Sequence, residues 1–402
     1  MKIVHLVLLS CLTTLPSAAL AEEAIAPSVH EEETSEFIPN ETPGAGFITS
    51  AINSSLEKTF ENIPVPDEKP QLGRTLTDYV SAPKIGGYFV GRYLYSNQKS
   101  EHTNEGFSQR YLRLYLDGSI LNDFKYRVQL QMNNSTPHMK DFYLEWTRWK
   151  AFSVKMGQFK RAFTFENPYN AWNVGFGDYS QVVKKLSGMG DYCGEQSTAG
   201  GRDQGIQIQG DLFPSKKDGH HFLHYQFQVM NGQGVNAADQ NKRKDLLGTL
   251  QIQPVKDLFI GVFGWNGDFV SDNGVTVNRN RWATSVKYEH NDWSLRAEYA
   301  HSHGHKIDEF DEATGTFTGT GKADGWSAAI GIPFNSWLKI YARYDVYRHQ
   351  ATWDSAKTIY SIAPNFQIHK NILFQVQYDY VHDHNAIERD HNDLWVEMYV
   401  RF

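Results

Sequence analysis

The sequence predicts an all-β chain, a transmembrane antiparallel β-barrel of 16 strands with long external loops. Three observations carry this expectation: apolar residues recur at every second position, connections alternate between short turns and long polar loops, and the amino terminus reads as an export signal.

The two-residue period is plain in Phe124, Tyr126, Val128, Leu130 and Met132, with Lys125, Arg127, Gln129 and Gln131 on the other parity. It recurs in Ile372, Phe374, Val376, Tyr378 and Tyr380 against Gln375, Gln377 and Asp379. It appears again in Leu394, Val396, Met398, Val400 and Phe402 against Glu397 and Arg401. All 15 positions on the apolar parity are apolar or aromatic in a chain that is 40% hydrophobic, so these are strands with two unlike faces.

Extending the pattern gives strands near 85–95, 107–117, 124–132, 141–149, 153–159, 203–212, 221–230, 246–254, 258–266, 281–289, 293–302, 323–332, 337–348, 357–368, 371–382 and 391–402. Even-numbered strands are followed by short turns, such as 149–152, 254–257, 290–292 and 333–337, and odd-numbered strands mostly by longer polar loops. A secreted β-sandwich shares the unlike faces but not this asymmetry of its two edges. A closed barrel also pairs every backbone donor and acceptor in lipid, which an open sheet cannot. No stretch after the signal approaches the roughly 20 apolar residues of a membrane helix. The mean hydropathy of −0.52 and the 14% aromatic content suit strands that are apolar on one face only.

Residues 1–21 read as a signal peptide: Lys2, a largely apolar run from Ile3 to Leu12, and Ala19-Leu20-Ala21 at the cleavage site. A lipoprotein signal ending at Cys11 is disfavoured, since only ten residues precede that cysteine and the apolar run continues past it. Cys193 is then the single thiol of the mature chain, and no intramolecular disulfide can form. Residues 22–83 hold 12 acids against 3 Lys/Arg and read as an acidic periplasmic leader. Within it, Ile48, Ile52, Leu56 and Phe60 repeat every four residues and predict one short helix before Pro64. Residues 84–402, the predicted barrel, are almost neutral, with 35 Lys/Arg and 34 acids. A nucleic-acid partner, which needs a strongly basic face, is excluded.

The last run, Asp393-Leu-Trp-Val-Glu-Met-Tyr-Val-Arg-Phe402, looks like the terminal strand read by outer-membrane assembly machinery. Gly86-Gly-Tyr-Phe-Val-Gly-Arg-Tyr93, Tyr111-Leu-Arg-Leu-Tyr-Leu-Asp-Gly118, Lys155-Met-Gly-Gln-Phe-Lys160 and Gly201-Arg-Asp-Gln-Gly-Ile-Gln207 follow in an order similar to the phosphate-selective porin O and P family, many of whose members come from Bacteroidota. The resemblance spans residues 84–402. It implies a 16-stranded homotrimeric porin of the Gram-negative outer membrane, surrounded by lipid and lipopolysaccharide and passing small solutes passively. Phosphate-binding members are implied to carry dense inward arginines and lysines, whereas the polar parity here mixes both signs. The expectation is therefore a moderate preference for small anions. The alternative is a general or organic-solute porin without one.

With both termini periplasmic, the long segment from Lys160 to Arg202 is the third external loop, expected to fold into the lumen and narrow it; an outward or trimer-contacting loop is the alternative. It brings Lys160, Arg161, Lys184, Lys185 and Arg202, with Tyr169, Trp172, Phe176 and Tyr179 to pack it. Arg113, Lys125, Arg127 and Lys155 lie on the polar parity of neighbouring strands, so the nine cations form the candidate anion-binding lining. Salt bridges to Asp141 and Glu145 would weaken their field, and Glu298, Asp345, Asp379 and Glu397 are expected on the opposite wall. His301, His303 and His305, like His382, His384 and His391, lie at strand ends where solvated histidines are the rule, so no metal site is expected. An outer-membrane lipase would need an activated serine, and no Gly-x-Ser-x-Gly element occurs. The expectation is no catalytic group and no cofactor.

Overall fold

The computed structural model describes residues 80–99, 105–133, 136–194 and 200–402. The signal peptide and the leader with its helix lie outside the described residues, except for residues 80–83.

The first strands are β1 (Lys84–Ser96), β2 (Glu105–Ile120), β3 (Phe124–Gln131), β4 (His138–Trp149), β5 (Phe152–Lys160), β6 (Arg202–Pro214), β7 (His221–Met230) and β8 (Asp245–Val255). They continue as β9 (Leu258–Val270), β10 (Thr276–His290), β11 (Trp293–His303), β14 (Lys322–Pro333), β15 (Leu338–Arg348), β16 (Ala356–His369), β17 (Ile372–Asp383) and β18 (Asp390–Arg401). Each pairs antiparallel with its chain neighbours, and β1 pairs with β18 to close the barrel of 16 strands. Every predicted strand overlaps an observed one. The loop between β11 and β14 adds a small hairpin, β12 (Phe310–Asp311) and β13 (Thr316–Phe317), that the periodicity did not anticipate.

Closure is exact to the last residue: Gly87 and Phe402 exchange N–H···O bonds of 3.1 Å in both directions. The faces are reversed from a water-soluble protein. Phe142, Met156, Leu250 and Val262 stand exposed on the outer parity, while Gln228, Arg279, Gln377 and Glu397 are buried on the inner one. Such an arrangement is stable where the outside is hydrocarbon and the inside is polar. The short-turn edge is made by tight reversals: Asn291 and Asp292 have φ of 47° and 66°, and Leu121 and Asn122 have 52° and 62°. Two successive positive φ values give the turn whose twist matches that of the flanking strands.

A lumenal loop and a cationic chamber

Residues 161–194 leave β5 and turn into the lumen. Among the described residues two short helices shape the segment. Asn170 caps α1 (Ala171–Val174), which stops at Gly175 with φ 84°, and Ser180 caps α2 (Gln181–Leu186). Phe163, Phe165, Val182, Leu186 and Tyr192 form one buried cluster with Phe263 and Trp265 of the wall. Ala283, Ala300 and Ala323, on β10, β11 and β14, belong to the same cluster, and these small inward side chains leave room for α2. The loop thus takes the inward course, and its aromatics pack it down.

The carboxylates expected on the opposite wall have a different task. Glu298 accepts hydrogen bonds from the Phe165 and Glu166 amides at 2.6 and 3.0 Å. Asp345 accepts one from the first amide of α2, Gln181 N, at 2.9 Å. Glu397 is paired with Arg92 at 2.5 Å and Arg110 at 3.4 Å, and Asp379 accepts from Gln377 at 2.8 Å. The loop brings amides without intraloop partners against the wall, and the buried carboxylates of Glu298 and Asp345 supply acceptors for them. Wall donors meet its carbonyls in turn. Arg343 donates to Asp178 O at 2.9 Å, Arg281 to Leu186 O at 2.8 Å, and Arg296 to Val174 O.

Two loop carboxyls are held by cations, one of them partly by a lysine of the loop itself. Burial alone would raise Asp178, but Lys184 at 2.6 Å and Arg110 at 3.2 Å hold it well below the usual carboxylate range. Asp191 behaves likewise, burial being outweighed by Arg281, whose two terminal nitrogens lie 2.6 and 2.5 Å from its oxygens.

Between the loop and the wall of β2–β7 lies a chamber of about 430 Å³. Six of the nine predicted cations line it: Arg113, Arg127, Lys155, Lys160, Arg161 and Arg202. Arg401 joins them, and among the described residues Asp141 is the single carboxylate of the lining. Four of these cations are compensated. Arg127 grips Asp117 by two 2.7 Å bonds, Arg202 grips Asp141 by two of 2.8 Å, Arg161 meets Asp203 at 2.8 Å, and Lys155 lies 3.5 Å from Glu145. The other three have neutral partners. Arg113 donates to Tyr88 Oη at 2.7 Å and Gln131 at 3.0 Å, Lys160 to the carbonyls of Asn167 and Tyr169, and Arg401 to Lys370 O while lying over the Trp172 ring.

Lys125, Lys184 and Lys185 do not line the chamber. Lys125 is exposed near the short-turn edge, Lys184 is spent on Asp178, and Lys185 is exposed on the far side of the loop. Among the inward cations outside the predicted set are Arg92, Arg281, Arg296, Arg343 and Arg401, which lie on regular strands, and Arg110 and Lys140, which a parity shift concealed. Each of the latter two is the extra residue of a β-bulge: the register skips Arg110 beside Val90/Gly91 and Lys140 beside Gln129/Leu130. A bulge shifts parity by one, so no strict alternation could have placed them. Tyr169, Trp172 and Asn173 also border a second cavity, of about 500 Å³, which reaches the short-turn edge at Asn335 and Ser336.

Comparison with known proteins agrees with this picture. The sequence model of the phosphate-selective porin O and P family matches residues 86–258. No curated protein matches the chain in sequence. Among solved structures, the anion-selective porin of Comamonas acidovorans is similar with a TM-score of 0.62 and 12% identity, over 80% of this chain and 99% of that one. The outer-membrane channel DcaP of Acinetobacter baumannii gives 0.58 and 11%, over 83% and 100%. OmpT of Vibrio cholerae in its trimer form gives 0.56 and 11%, over 81% and 100%. At such identities these likenesses establish the barrel fold.

Proposed function

We propose that this chain, an outer-membrane porin that matches the phosphate-selective porin O and P family over residues 86–258, passes small hydrophilic solutes with a moderate preference for anions. The observation that carries the preference is the chamber lining of seven cations and one carboxylate. The barrel as a whole is near neutral, so selectivity must come from where charges sit. Screening over about 8 Å at physiological salt leaves the decision to groups at the narrowest level. Arg113 and Lys160, with neutral partners, supply the local field there. The compensated pairs of Arg127, Lys155, Arg161 and Arg202 argue for a preference rather than a phosphate filter. Transport is read as passive diffusion without enzymatic turnover.

The test is a planar-bilayer recording under a potassium chloride gradient. The reversal potential is expected to show chloride permeating better than potassium. A pore that prefers potassium, or one blocked by micromolar phosphate, overturns the reading.

The outer parity is apolar all round and fits a lipid and lipopolysaccharide surround, while the signal and leader fit export with a periplasmic start. A homotrimer is the proposed assembly, consistent with the trimer form of the Vibrio cholerae neighbour. Crosslinking in mild detergent should give a heat-sensitive trimer band; monomer alone would refute it.

A further inference from the structure

On the long-loop side of the lumenal loop, opposite the chamber, a separate cavity of about 500 Å³ opens beside α2 and the end of β15. Its walls include the rings of Tyr192, Tyr347 and Phe269. Tyr192 is 5% exposed, and its hydroxyl, without a hydrogen-bond partner among the described residues, is closed off behind the wall, so the ring is what Tyr192 presents to the cavity.

Two lysines line this cavity. Lys306 Nζ stands 5.5 Å from the centroid of the Tyr192 ring, and Lys185 lines the same space. Among the described residues neither has a carboxylate within salt-bridge distance, whereas their neighbours Lys184 and Lys357 are neutralised by Asp178 and Asp383. Burial, and Lys184 beside it, press the Lys185 ammonium below its ordinary value, as expected where like charges crowd without a counterion. Three acids touch the cavity. Asp191 is engaged by Arg281, while Asp272 and Asp308 are exposed at the rim, where water screens them. His349 also borders it, and burial together with Lys306 pushes its imidazole down, so it adds no charge at neutral pH.

We propose that this cavity captures a small organic anion, a flat aromatic monocarboxylate, from the long-loop side before it enters the pore. The ring lies on the aromatic walls and the carboxylate meets Lys306 and Lys185. Inorganic phosphate fits poorly, because it covers none of the apolar wall and brings more charge toward the rim carboxylates. The proposal rests on the porin reading, but not on the anion preference of the chamber.

The experiment uses the full protein in planar bilayers, with benzoate added on the long-loop side and block of the ionic current titrated. Saturable block about tenfold or more tighter for benzoate than for acetate or inorganic phosphate is expected. Lys306→Gln should weaken it about tenfold. Lys185→Gln, at the more exposed of the two lysines, should weaken it about threefold. Equal block by acetate and benzoate, stronger block by phosphate, or unchanged benzoate affinity in both variants would overturn the capture site. Loss of chloride preference with benzoate block intact refutes the chamber reading alone, and absent block with chloride preference intact refutes this proposal alone.

Discussion

Arg281→Ala is expected to release the lumenal loop and give a pore of larger, noisier conductance in a barrel that still forms. Arg281 is 4% exposed, holds both oxygens of Asp191, donates to Leu186 O at 2.8 Å and Ser302 at 3.0 Å, and lies 4.9 Å from the Trp265 ring. Removing one partner of such a buried pair costs about 3–5 kcal/mol, because the remaining charge is left without compensation. The loss falls on the anchoring of the lumenal loop, whereas the strand pairing that closes the barrel runs through the backbone of residue 281, to Trp265 and Ser302, and survives the change to alanine. Asp191→Asn, which keeps a polar group of the same shape, should do less. The pH dependence has a definite sign. The Asp191 carboxyl is depressed in the folded chain, so its contribution is present above the unfolded value of about 3.9 and is lost only as pH falls through the lower folded value. The wild-type loop should therefore stay latched at mildly acidic pH. Single-channel recordings decide the matter: wild-type conductance and noise in Arg281→Ala would show that the pair does not hold the loop.

The use of wall carboxylates as anchors explains how a nearly neutral barrel can present a cationic chamber. Acids and bases are close to equal in number over residues 84–402, but they are not equally available to a solute. Glu298 and Asp345 are consumed by loop amides and Glu397 by two arginines, on the side that the loop packs against. The loop thus hides negative charge and leaves Arg113, Lys160 and Arg401 facing the remaining space.

The strands were legible because lipid imposes a face on each of them, and a period of two over eight or more residues has few other causes. Phe124 to Gln131 is such a strand, and register Lys125↔Glu145 keeps its polar parity inside. The loop's inward course was legible from its length and aromatics. Its contacts were not, because Asp191 and Arg281 lie 90 residues apart and nothing local links them. Arg110 and Lys140 escaped for a different reason, since one inserted residue reverses which side chains face in. Lys184 looked like a pore group on charge alone, and only the turn that carries Asp178 back to it shows its charge to be cancelled.

Arg113→Gln should cause the largest loss of chloride preference of any single substitution in the chamber. Arg113 is 6% exposed as a residue, and its partners, Tyr88 and Gln131, are neutral, so its charge acts on the pore with little solvent to weaken it. A unit charge about 5 Å from a permeating ion is worth about 3 kcal/mol at an effective dielectric constant near 20 and about 0.8 kcal/mol in bulk water. Even the lower figure corresponds to about a fourfold change in the chloride-to-potassium permeability ratio. Glutamine keeps a donor for Tyr88 and avoids a cavity, so the barrel should assemble normally. Lys125→Gln removes the same charge from an exposed site near the short-turn edge, outside the chamber, and should change the ratio little. Arg127→Gln falls between them, since its side chain is 36% exposed and the Asp117 it releases is also reached by water. Reversal potentials of the three variants in one salt gradient give the ranking directly. Equal effects at Arg113 and Lys125 would mean that net charge, not position in the chamber, sets selectivity.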